Sequence, residues 1–218
     1  MVTNGTRLKE IEELRKIIVG LTGASGSIYG YRLLEALSKT ETETHVIASK
    51  WAQVTLEHET NHKLKDLQKL ADHFYGPSDM GAPVSSGSFE TDSMVIAPCS
   101  ARSMAAIANG FGEHLVHRAA DVILKERRQL ILAVRETPLS EIHIENMLKL
   151  ARMGVSILPP IPAFYNHPET IDDLIDHFVG RILDQLGVEA DFIKRWDVLI
   201  ISLIRERYLE GNYILICQ

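Results

Sequence analysis

Short aliphatic runs alternate with longer amphipathic stretches through most of this chain. KIIVGL from Lys16, THVIA from Thr44, SMVIAP from Ser93, QLILAVRE from Gln129 and VSILPP from Val155 have the length and branching of buried β-strands. Between them apolar positions recur at helical spacing, which predicts helices starting near Ser27, Lys50, Ala101, Leu115, Ser140 and Thr170. Alternation of this kind implies an α/β fold, a parallel sheet covered by helices. Around NHKLKDLQKLADHFYGPSDMGAPVSSGSF the pattern loosens into glycine, proline and serine, which reads as a short helix and an ordered loop of the same domain. No internal repeat or low-complexity tract interrupts the chain.

In open α/β sheets ligands gather beyond the carboxyl ends of the strands, where strand order reverses. The strand ends read TGASGS, ASKW, PCSARS, RETPL and PPIPAFYNHP, all rich in hydroxyls, glycine or charge. In TGASGS, Gly23 and Gly26 permit tight backbone geometry while Ser25 and Ser27 place hydroxyls beside the first N–H groups of a helix. That suits an anion. The residues alone also allow a plain strand-to-helix turn with Ser25 or Ser27 as its cap. The stretch lacks the GxGxxG of a dinucleotide site and the GK[ST] of a P-loop, so neither NAD nor ATP is expected. Ser100 and Ser103 sit at a second such junction, so two helix N-termini can face one ligand.

Composition narrows the partners. The chain has 218 residues, 45% hydrophobic and 24% charged, enough for one sizeable core and ordinary for a soluble globular domain. A formal net charge of −6 gives no overall attraction to nucleic acid or to an anionic membrane. Basic residues must therefore act locally, and Arg118, Lys125, Arg127, Arg128 and Arg135 cluster in one stretch. Arg135 and Glu136 end a buried strand, where a structural ion pair and a phosphate-binding arginine beside a proton-moving carboxylate are both open. The proline-rich loop ending at Tyr165 and the helix carrying Arg181 suit a preorganised site, although the residues alone also allow a packed aromatic and a surface charge. Cys99 and Cys217 lie far apart and outside any CxxC spacing, which fits a reducing cytoplasm. Free cysteine is commonly buried and inert, so Cys99 is not expected to be a nucleophile. The nine histidines are scattered, none is read as part of a metal-binding spacing, and no catalytic metal is expected. The N-terminal stretch has no apolar core like that of a signal peptide, and the longest aliphatic run is too short to cross a bilayer. A soluble cytoplasmic protein follows as the expectation.

Taken together, GLTGASGSIYGYRLLEAL, SSGSFETDSMVIAPCS, RAADVILKERRQLILAVRETPL, PPIPAFY and RILDQLG closely resemble the flavin prenyltransferases, the UbiX-like family, from about Lys16 to Trp196. Members also carry the older label of a component of an aromatic or phenolic acid decarboxylase. The resemblance implies a Rossmann-like three-layer α/β/α flavoprotein with a mostly parallel sheet, typically a homododecamer. It implies an enzyme that joins the dimethylallyl group of dimethylallyl monophosphate to N5 and C6 of reduced FMN without a metal. The product, prenylated FMN, would serve a partner UbiD-like decarboxylase. Carried over by motif, Gly23, Ala24, Ser25, Ser49, Ser100, Ala101, Arg102, Ser103 and Arg135 would bind FMN. Lys125, Tyr165 and Arg181 would hold the allylic phosphate, Glu136 would move a proton, and Glu59 of HETN would stand near the substrate.

Two departures stand out. Arg102 and Ser103 occupy positions where the family more often has lysine and threonine. The chain also continues past Arg195 and Trp196 as DVLIISLIRERYLEGNYILICQ, where members usually stop. The expected organisation is an extension over 1–15, one flavoprotein domain over 16–196 and a tail over 197–218. Two other functions fit the same fold. A non-catalytic FMN-binding component of a decarboxylase would need neither Lys125, Glu136 nor Arg181, and a flavin-dependent cysteine decarboxylase would need a histidine ahead of PCS that SSGSFETDSMVIAPCS lacks.

Overall fold

From Ile17 onward the first strand is buried on both faces, as a central parallel strand must be. In the computed structural model, which describes residues 14–189, that strand is β1 (Arg15–Leu21). It is followed by α1 (Ser27–Leu37), β2 (Thr42–Ala48), α2 (Lys50–Glu59), α3 (Leu64–Leu70), β3 (His73–Tyr75) and β4 (Ser93–Cys99). The remainder is α4 (Ala101–Ala108), α5 (Leu115–Lys125), β5 (Gln129–Val134), α6 (Glu141–Arg152), β6 (Ser156–Ile157) and α7 (Ile171–Leu186). All pairings are parallel, in the order β3-β2-β1-β4-β5-β6. The N-terminal extension before residue 14, Trp196 and the tail from 197 lie outside the described residues.

Side-chain alternation along the strands divides the apolar residues into two cores. Ile17, Val19 and Leu21 pack with Leu33, Leu34 and Leu37 of α1, Leu56 of α2, Leu67 of α3, and Phe178 and Ile182 of α7. Ile18, Met94 and Ile96 pack with Met104 of α4, Val116 and Ile123 of α5, and Leu150 of α6. The layers are therefore helix, sheet, helix, as expected. Among the described residues no helix is long and apolar enough to cross a membrane.

Two strands differ from expectation. β3 is a three-residue strand inside the stretch expected to be a short helix and a loop; alternation cannot be recognised over so short a run. VSILPP yields only the two-residue β6, because Pro159 and Pro160 have no N–H to donate to a ladder. Leu158 makes one last bond, donating to the Leu132 carbonyl at 2.8 Å.

Strand order reverses between β1 and β4, and there the two ends are joined through one side chain. The buried Thr22 hydroxyl donates to the Pro98 carbonyl at 2.8 Å and accepts from the Ser100 N–H at 2.8 Å. Neighbouring ends are tied by backbone bonds, Ser49 N–H to the Leu21 carbonyl and Arg135 N–H to the Cys99 carbonyl, both at 3.0 Å.

Thr22→Val keeps the shape of the side chain but leaves the half-buried Ser100 N–H without its Thr22 partner. We expect a loss of about 1–3 kcal/mol in urea unfolding, largely restored by Thr22→Ser. Equal stability of Thr22→Val and wild type would mean that the bridge contributes nothing.

Candidate functional site

The β1–α1 turn is as tight as its glycines suggest. Gly26 has φ 93°, a left-handed conformation that disfavours any side chain, and a Cβ at Gly23 would overlap the Trp51 side chain at the start of α2. The first N–H groups of α1 hold an anion, and that anion belongs to the protein. Glu59, the last residue of α2, accepts from Gly26 N–H at 2.9 Å, Ser27 N–H at 3.0 Å and the Ser27 hydroxyl at 2.9 Å through one carboxylate oxygen. Burial by itself would raise this carboxyl. Hydrogen bonds from Ser25, Ser27 and Gly26 outweigh it and hold the group below its ordinary value. Ala24 is buried in the turn and Ser25 is exposed at its rim.

Two further helices begin at the same edge of the sheet. Ser49 caps α2, accepting from Ala52 N–H at 3.0 Å, and Ser100 caps α4, accepting from Ser103 N–H at 3.2 Å. The Ser100 hydroxyl donates to Ser103 Oγ at 3.1 Å, and His117 Nε2 lies 3.1 Å from the same oxygen. Sequence reasoning missed His117, which sits on the next helix, α5, and belongs to no motif. Ala101 opens α4, and Arg102 reaches outward to Glu113 at 2.8 Å. Burial pushes the Cys99 thiol up to about 12, so no thiolate nucleophile forms there, as expected.

Beyond β5, Arg135 is exposed and Glu136 half-buried, and no ion pair joins them. Among the described residues Glu136 accepts from the Thr137 N–H alone, at 3.2 Å. The structural ion pair left open by the sequence is therefore absent. Arg135 is close enough to Tyr29 of α1 to oppose the rise that burial imposes on the phenol. The ends of β1, β2, β4 and β5 lie side by side, which places Gly23, Ala24, Ser25, Ser49, Glu59, Ser100, Ala101, Ser103, Arg135 and Glu136 along the sheet edge where the crevice opens. Three helix N-termini and their hydroxyls make a donor set that suits phosphate and flavin oxygens, so FMN fits the residues present.

The other predicted residues form separate groups. The Tyr165 hydroxyl is 2.8 Å from His177 Nε2 on α7, and Arg181, one turn further, pairs with Asp184 at 2.9 Å. Arg32 of α1 binds Asp176, and Tyr29 packs edge-on against Phe178 at 4.9 Å, so α7 lies along α1. Lys125 is not at this edge in one chain. It ends α5 just before β5 begins, pairs with Glu126 at 2.7 Å and lies beside Gly87. A seven-residue β4 separates that end from Ser100, roughly 20 Å.

The histidines do include one HExxH spacing, HETNH at 58–62, which runs against the expectation that they form no metal motif. The structure does not use it that way. α2 stops at Glu59, Thr60 is extended, Glu59 turns to α1, and the His62 ring stacks on Tyr31 at 3.6 Å. A second group, Glu43, His45 and His73, lies where β2 pairs with β3. One Glu43 oxygen is 3.1 Å from both Nε2 atoms, and the His rings stack 4.6 Å apart with 12° between their planes. Lone pairs in nearly parallel planes run side by side instead of converging, which fits a hydrogen-bonded cluster closed by Tyr75 on His45 Nδ1 at 3.0 Å.

Glu59→Gln keeps an acceptor but removes the charge from the α1 terminus, and should lower stability by about 0.5–1 kcal/mol at pH 7. Because the folded carboxyl sits below 4.5, its contribution is complete above that pH and is lost as pH falls through the folded value. The wild-type advantage should shrink in acid; a gap independent of pH would remove Glu59 as an anionic cap.

A family model described as Flavoprotein matches residues 6–183. A probable UbiX-like flavin prenyltransferase of Streptomyces sp. (strain D7) is 55% identical over 182 residues, 83% of this chain and 91% of that protein. A dodecameric FMN-dependent UbiX-like decarboxylase from Escherichia coli O157:H7 superposes with a TM-score of 0.83 at 53% identity, over 84% of this chain and 99% of that one. AnUbiX (PadA1), solved in complex with FMN and dimethylallyl pyrophosphate, superposes with a TM-score of 0.84 at 48% identity, over 85% and 98%. With its glycine turn, capped helix starts and charged β5 end on one crevice, the chain belongs to the Flavoprotein family and, within it, to the UbiX-like flavin prenyltransferases.

Proposed function

We propose that this protein transfers the dimethylallyl group of dimethylallyl monophosphate to N5 and C6 of reduced FMN, and that the prenylated FMN serves a UbiD-like decarboxylase. The observation that carries this reading is the alignment of four strand ends, with the hydroxyls of Ser49 and Ser103 as donors and Glu136, in no ion pair among the described residues, beside Arg135. Reduced FMN supplies the nucleophilic carbon and nitrogen. Because Glu59 already fills the first turn of α1 and takes the Ser25 hydroxyl proton, the FMN phosphate is assigned to the α2 and α4 ends.

The allylic C–O bond breaks with its electron pair leaving on phosphate, so cations must meet those oxygens. Arg181, Lys125 and the Tyr165 hydroxyl are assigned that role. Half-exposed pairs such as Arg181 with Asp184 and Lys125 with Glu126 are worth only about 0–1 kcal/mol, so a phosphate displaces them readily. Bonding of N5 to the allylic carbon releases the N5 proton, the inner alkene carbon takes up a proton as its neighbour bonds to C6, and Glu136 accepts the proton that C6 releases and passes it to the departed phosphate. Lys125 can serve only from another copy of the chain, which agrees with a homododecamer like that of the Escherichia coli relative. We place the protein in the cytoplasm and its catalytic domain over 16–196.

Anaerobic incubation with reduced FMN and dimethylallyl monophosphate, with the diphosphate in parallel, should release flavin heavier by one five-carbon unit. Unmodified flavin with both donors would defeat the reading. Glu136→Gln should bind FMN normally and slow transfer, while Arg181→Ala should weaken donor binding by about 1.5–3 kcal/mol. Oligomers assembled from equal parts Lys125→Ala and Glu136→Gln should regain about a quarter of wild-type turnover, since each site draws on two independently mixed protomers. No recovery would put Lys125 outside the site.

A further inference from the structure

His117 lies in the first turn of α5, only 2% exposed, with Nε2 3.1 Å from Ser103 Oγ. The Ser100 hydroxyl donates to that oxygen as well. A serine hydroxyl has one proton and two lone pairs, so the position of the histidine proton decides where the Ser103 proton goes. Among the described residues the other ring nitrogen, Nδ1, is buried with no partner, and the His114 ring stacked on it at 3.9 Å also has a buried Nδ1 with none. A proton on His117 Nδ1 would bury an orphaned N–H, which folded proteins avoid more strictly than an idle acceptor. The proton therefore belongs on Nε2. Ser103 Oγ then accepts twice, and its own proton must point elsewhere. Among the described residues nothing else accepts it.

We propose that His117 is a positioning residue, whose Nε2–H fills the second lone pair of Ser103 and turns the Ser103 hydroxyl proton toward an acceptor atom of bound FMN. This rests on the assignment of Ser100 to Ser103 to the flavin site. Burial pushes His117 down to about 4, with nearby His114 and Arg102 adding to the effect and Glu113 opposing it, so the ring carries one proton at neutral pH. A neutral ring donates in one direction only.

The test joins 15N spectra of histidine-labelled full-length protein to FMN titrations followed by flavin fluorescence. His117 should show the Nε2–H tautomer in the free protein. Ser103→Ala and His117→Phe should each weaken FMN about three- to tenfold, the worth of one hydrogen bond, and the double variant should be no weaker than either. His117→Gln, whose amide can donate to Ser103, should recover most of the affinity. Penalties that multiply in the double variant, with no rescue by Gln, would mean that His117 only packs. An Nδ1–H tautomer together with weakened Ser103→Ala would overturn the role of His117 and keep the flavin contact. Unchanged affinity in Ser103→Ala would remove the contact itself, and the inference with it.

Discussion

One buried hydroxyl, that of Thr22, closes the gap at which the sheet changes direction. β1 and β4 are neighbours, yet the helices that follow them pack on opposite faces, so the backbone diverges there and leaves polar groups that no ladder can satisfy. Thr22 takes up the Pro98 carbonyl and the Ser100 N–H at once. The start of α4 is thereby held at a set distance from the β1–α1 turn, and the hydroxyls of Ser100 and Ser103 take their places from it. The crevice exists because the strands part; its donors keep their aim because Thr22 limits the parting.

Around that crevice the protein manages negative charge before any ligand arrives. Three helix N-termini on one edge would repel a cation and leave unsatisfied N–H groups exposed to competing anions. The fold answers differently at each. α1 takes the Glu59 carboxylate, while α2 and α4 cap themselves with Ser49 and Ser100. Neutral caps can share their terminus with an incoming phosphate, whereas a carboxylate cannot without like-charge repulsion. The arrangement separates a permanently filled anion seat from two that are still able to receive one.

The cations are distributed on another principle. Arg135 stands at the crevice, Arg181 on α7, and Lys125 at the far end of the sheet, each of the last two held by a weak exposed pair. Within one chain, therefore, these three side chains do not share a site.

Much of this was legible before any coordinates. Apolar runs and helical periodicity located five of six strands and the starts of α1, α2, α4, α5, α6 and α7 within a residue, because those signals are local. The glycine turn, Ser49, Ser100 and the Arg135–Glu136 end were readable as chemistry from strand-end positions alone. A three-residue β3 carries too little alternation to be seen, and HETNH shows that a spacing is not a site when the helix it presumes stops partway. Which ends meet was decided by the path of the chain. Glu59 reaches α1 across 32 residues, His117 reaches Ser103 across 14, and Lys125 is carried away from Ser100 by the length of a strand. Local patterning settles how each segment folds, since it depends on neighbours a few residues apart. The direction of each crossover and the packing of two cores settle which side chains share a crevice, and those are long-range properties that no short stretch encodes.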